Sequence, residues 1–199
     1  MTKDIAALIE RITALEAEVE AIIEARRDAL RVRIAGGKPH FEPEPLRRHR
    51  LSRIHWWRYV RSARPLVLLT APVIYALIVP LVALDLFFTV YQAVCFPVYG
   101  IGRARRGDYL VIDRAKLGYL NGIEKFNCLY CSYANGLIAY VQEIAGRTEL
   151  YWCPIKHSQR LKATHGHYDQ FVDYGDAENY QRELAALRAA LVAQRAAET

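Results

Sequence analysis

The chain has 199 residues, 53% hydrophobic and 24% charged, with a formal net charge of +6. That suits one compact domain with appendages and conceals a segregation: residues 1–30 carry net −3, residues 31–65 net +8, residues 66–100 only Asp85, and residues 101–199 net +2. A nucleic-acid binder spreads its cations over a folded face, so a basic stretch beside an apolar block argues against nucleic acid and for anionic lipid head groups as partner.

Residues 1–10 lack the basic-then-apolar order of a secretory signal, so the N-terminus is expected in the cytoplasm. Residues 3–34 read as one helix. Ile5, Ile12 and Val19 fall seven apart, and Leu8, Leu15 and Ile22 form the second series, with Arg26 interrupting the first. β-Branched residues at a and mainly leucine at d favour a parallel two-stranded coiled coil, hence a homo-oligomer or a membrane-protein partner. The competing reading is an amphipathic helix docked on its own chain. Gly36, Gly37, Pro39, Pro43 and Pro45 then mark a linker.

The stretch that follows carries Arg47, Arg48, Arg50, Arg53, Arg58, Arg61 and Arg64 with no acid after Glu44, and includes Trp56, Trp57 and Tyr59. Such rings sit at the membrane boundary while guanidinium groups reach phosphates, so these arginines with Trp56 and Trp57 are the expected lipid-interface residues. A solvated basic helix is the bland alternative. Residues 66–96 would make about 46 Å of continuous helix, against a hydrocarbon core near 30 Å. Pro72 and Pro80 interrupt the run. Two topologies compete: a kinked single span, and a re-entrant helical hairpin turning near Pro80. Arg103, Arg105 and Arg106 make both flanks basic, which favours the hairpin, since positive flanks resist translocation. Asp85 is costly in lipid and by default a functional candidate, for proton or ion handling. It is expected to hydrogen-bond Thr70, Tyr75 or Tyr91, or to lie near the polar boundary.

Residues 101–175 read as a small irregular α+β domain rich in cysteine and tyrosine, with a strand at 109–113 and short helices at 116–126 and 134–145. Cys128 and Cys131 have the two-residue spacer that aims two thiolates at one metal from a tight turn. Cys153 follows as a second half, with His157 one helical turn beyond it, a zinc-like layout. Cys95 is the alternative fourth ligand, giving a four-thiolate site for zinc or an iron–sulfur cluster. Two disulfides, a redox dithiol or inert thiols are the competing readings. His165-Gly-His167, with Asp169 beyond, forms a second candidate cluster, disfavoured for a cation by Arg160 and Lys162 and equally readable as a polar loop. Residues 176–198 read as a terminal helix with Tyr180, Leu184, Leu187 and Leu191 in one stripe, suited to pair with the N-terminal helix.

The expected architecture is therefore mainly α. A coiled-coil-like helix (1–34) leads into a linker and basic interfacial segment (35–64). A membrane-embedded hairpin or kinked helix (65–100) follows, then the metal-binding α+β domain (101–175) and a C-terminal amphipathic helix (176–199). No phosphate loop, nucleophile elbow or zinc-protease signature occurs, and nothing requires catalysis. The expected function is a membrane-attached zinc or iron–sulfur protein with a structural, adaptor role on the cytoplasmic face of a bacterial inner membrane. Iron–sulfur electron transfer and an exported disulfide-stapled domain are the alternatives.

Overall fold

The computed structural model describes residues 2–29, 32–35, 38–41, 47, 49 and 51–197. It is mainly helical. The chain divides into two compact units, Met1–Ser62 with Asp113–Phe126, and Ala63–Ile112 with Asn127–Thr199.

In the first unit, helix α1 spans Thr2–Ala29. It stops short of the expected residue 34 because alternating β-branched residues take over: strand β1 (Val32–Ala35) pairs antiparallel with β2 (Lys38–Phe41), Val32 opposite Phe41. The Gly36-Gly37 pair that separates them has the sequence of a two-residue hairpin connection, though both lie outside the described residues with Pro43 and Pro45. The heptad residues Leu8, Ile12, Leu15, Val19 and Ile22 are all exposed; the side chain of Ile5 lies outside the described ones. Helix α2 covers Trp56–Ser62 and buries no residue.

In the second unit, helix α3 (Pro65–Ala76) begins on a proline, which tolerates the first turn because its missing N–H would have had no partner there. Helix α4 (Ile78–Tyr99) follows directly. Pro80 has no N–H for the Ala76 carbonyl, so the ladder slips at Leu77, whose N–H bonds Ile74 at 3.3 Å before Leu81 resumes it on Leu77 at 3.2 Å. The hairpin expected at Pro80 does not form. Pro65–Tyr99 is one 35-residue apolar run, long and apolar enough to cross a membrane. At its end Gly100 adopts a left-handed conformation (φ 76°) that reverses the chain.

The expected strand at 109–113 is absent; a helical turn, Arg106–Tyr109, and coil replace it. Two short helices were expected beyond, and one 31-residue helix, α5 (Gly122–Trp152), stands in their place. Asn121-Gly-Ile-Glu124 opens it as a capping box. Asn121 Oδ1 accepts the N–H groups of Ile123 and Glu124 at 3.0 Å each, and Glu124 accepts the Asn121 N–H at 2.9 Å. Pro154 limits its far end. Leu137, Tyr140, Ile144 and Leu150 form its buried stripe, at helical spacing. They pack with Phe96, Ile101 and Phe171 in the core of this unit. The expected α+β domain is thus a helical layer, with one isolated parallel bridge, Ile155 to Val172.

Helix α6 (Ala177–Ala197) forms where the leucine stripe predicts it. Leu184 and Leu191 are buried and Leu187 packs on the core. It packs on α4 and α5: Arg195 lies 3.4 Å from the Pro97 carbonyl, and Arg188 donates to the Tyr151 carbonyl at 2.8 Å and lies 4.8 Å above that ring.

Candidate functional site

The expected metal ligands are not gathered. Cys128 and Cys131 lie inside α5, one turn apart, where the two-residue spacer puts both sulfurs on one face instead of closing a tight turn. Cys153 follows the last residue of the same helix, so it lies about 33 Å along the axis from Cys131 at 1.5 Å per residue. One ion cannot bridge that span. His157 is engaged elsewhere: its N–H donates to the Tyr168 hydroxyl at 2.8 Å and its Nδ1 lies 3.2 Å from the same oxygen. Cys95 sits in α4, and all four cysteines are free thiols. Among the described residues no group of three His, Cys, Asp or Glu could hold an ion.

Asp85 is held by partners other than those expected. Arg106 grips both its oxygens, NH2 at 2.7 Å from Oδ2 and NH1 on Oδ1, while Tyr133 donates to Oδ2 at 2.9 Å and Thr89 to Oδ1 at 3.4 Å. Its side chain is only 13% exposed. The guanidinium reaches it because the segment after Gly100 doubles back along α4. The Ala104 N–H bonds buried Gln92 Oε1 at 3.0 Å, and Arg103 bonds the Ala93 carbonyl at 2.9 Å. Part of the downstream basic flank is therefore the counter-ion of the one acid in the apolar run. The run's other charge-free length is open: α3 buries nothing, and Leu66, Leu69, Val73, Val79, Leu86 and Phe87 are strongly exposed.

The His165-Gly-His167 cluster is a brace on α5. His165 Nδ1 accepts the His167 N–H at 3.2 Å, which leaves Nε2 as the donor to Glu149 at 3.1 Å. His167 Nε2 lies 3.0 Å from Glu143, and Arg147 bonds the same oxygen at 2.7 Å. These two partners, His167 first, hold the Glu143 pKa down at about 2 against the opposing pull of burial. Gly146 makes the approach possible, since a Cβ there would stand 2.8 Å from His165 Nδ1. With both rings turned to carboxylates, the motif is the polar loop of the two readings. No protein-family model matches the chain, and no curated protein or solved structure matches it either.

Of the expected interface residues, Arg48 and Arg50 lie outside the described ones; Arg47, Arg53, Trp56, Trp57, Arg58, Arg61 and Arg64 are all exposed. Three residues from this stretch and its border, Arg53, His55 and Trp56, line a cavity of about 530 Å³ in the first unit. Its other wall is the start of α5: Asn121, Gly122 and Ile123. Asn121 is 1% exposed, and its Nδ2 has no hydrogen-bond partner. A buried donor left so costs about 1–3 kcal/mol. Sequence reasoning placed this stretch within a helix at 116–126; the Asn-Gly-Ile-Glu capping signature was the cue that would have set the helix start correctly.

Proposed function

We propose that this chain is a membrane-attached structural protein that holds a partner, or a second copy of itself, at a bilayer surface. The observation that carries this is the apolar helix Pro65–Tyr99, whose first half presents large apolar side chains outward with no charge before Asp85. From residue 65 to residue 84 the helix rises about 30 Å, the thickness of a hydrocarbon core. Asp85 then meets its counter-ion and a tyrosine hydroxyl, so the first acid comes already neutralised. The exposed arginines and tryptophans at 47–64 suit anionic head groups and favour the cytoplasmic face for that stretch. The exposed heptad face of α1 is the surface offered to a partner helix. This reading keeps the attachment and the adaptor role expected from the sequence. It sets aside the shared zinc or iron–sulfur site, and with it electron transfer, because α5 separates the thiols.

The test is extraction. The full chain, expressed in cells, pellets with membranes and resists alkaline carbonate. Val73→Asp, at an exposed position of α3, releases a large share of it, because a charge at mid-bilayer costs about 3 kcal/mol. Release of the unaltered chain by carbonate, or retention of the variant equal to it, overturns the proposal.

A further inference from the structure

The cavity at the start of α5 combines features that point to one kind of ligand. A helix of 31 residues presents the positive end of its dipole there. The wall at its first position is open: a Cβ built on Gly122 meets nothing within 4 Å. Asn121 spends its Oδ1 on two helix amides, and the planar amide turns Nδ2 away from them, buried and without a partner, in the residue that lines the cavity. Opposite stand Arg53, whose guanidinium offers a fork of donors, His55, whose ring offers another, and Trp56. All three are exposed, so they have room to swing and admit a ligand to Asn121. The Glu124 carboxylate is committed to the Asn121 N–H.

We infer that this cavity is a phosphate-binding site, in which Asn121 Nδ2 and Arg53, at the positive end of α5, hold the phosphoryl oxygens of a lipid head group or of a free phosphate. An oxygen-rich anion answers each feature together. It satisfies the orphaned donor, it complements the helix dipole, and it pairs with a guanidinium in the geometry arginine favours. An apolar ligand would leave the donor unpaired, and a cation would face Arg53. The lipid source rests on the membrane reading above; the phosphate chemistry does not.

The experiment is isothermal titration calorimetry of the full chain in a neutral maltoside detergent and phosphate-free buffer. One arm uses inorganic phosphate, the other short-chain phosphatidylglycerol. Saturable binding of at least one probe is expected, weakened at least tenfold by Asn121→Asp and by Arg53→Gln. Arg114→Gln, in the same unit but outside the cavity, changes nothing. Aspartate caps a helix as well as asparagine, so N121D keeps the fold, as circular dichroism will show, while it removes the Nδ2 donor and adds repulsion. Binding confined to the lipid or to free phosphate supports the site and names its source. Binding that N121D and R53Q leave unchanged overturns the site in favour of diffuse attraction by the arginine stretch, and so does the absence of saturable binding. Carbonate extraction of membranes from the cells that express each chain separates the two readings. A chain that stays in membranes yet binds neither probe refutes the site alone; a chain that is extracted yet binds phosphate refutes the attachment alone.

Discussion

Glu143 shows how much of this molecule is decided by single polar contacts. Its carboxylate accepts from His167 on the returning loop and from Arg147 on its own helix. Its pKa falls from 4.5 to about 2, so the folded state binds this proton less readily than the unfolded one. The stability it supplies is fully present above pH 4.5 and is lost as the pH falls through about 2. Melting temperature followed from pH 6 to pH 2 should therefore drop more steeply for the unaltered chain than for Glu143→Gln, whose side chain carries no charge to lose. Equal slopes would show that the carboxylate contributes nothing to the acid limb. The histidines themselves were visible in the sequence as His165-Gly-His167. Their carboxylate partners were not, because Glu143 and Glu149 sit some twenty residues upstream and only the helix brings them across. Asp85 makes the same point, since its counter-ion stands 21 residues later and reaches it only through the reversal at Gly100.

Elements whose signals are local were legible. The leucine stripe at Leu184, Leu187 and Leu191 gave α6, the apolar run gave α3 and α4, and Pro65 marks where that run starts. Helix α5 was misread because Cys128-Leu-Tyr-Cys131 imitates a metal knuckle. The same spacing is one turn of helix, and two cysteines at i and i+3 are compatible with either structure. What separates them is context: no proline occurs between Gly122 and Trp152, and the buried residues keep a helical period from Ser132 onward. This placement has a measurable consequence. Cys128→Ser and Cys153→Ser should each leave the melting temperature of the full chain within about 2 °C of the original, since neither thiol cross-links anything and exchanges near the surface usually stay within ±0.5 kcal/mol. Prolonged chelation should do the same. A loss of 10 °C in either experiment would mean that the thiols share an ion after all.

At the scale of the whole molecule, the segregation of charge survives folding, and much of the exposed apolar surface lies on two stretches of helix. One is the run Pro65–Tyr99, long and apolar enough to cross a membrane. The other is α1, where Leu8, Ile12, Leu15, Val19 and Ile22 all face outward. Under the proposed reading this heptad face is the seam between two copies, with Arg11 and Glu16 at the g and e positions flanking it. The full chain in detergent should sediment as a dimer or larger, and Leu15→Glu should return it to the monomer. A monomer before substitution would leave a different protein as the occupant of that face.

The reversal at Gly100 means that the acid of the apolar run and its neutralising base are not neighbours along the backbone. A fragment ending at Tyr99 would carry every greasy residue of the helix and still be the poorer lodger in oil. Its lone acid would have to take up a proton or drag water in with it, whereas the complete chain brings along a guanidinium that makes both unnecessary.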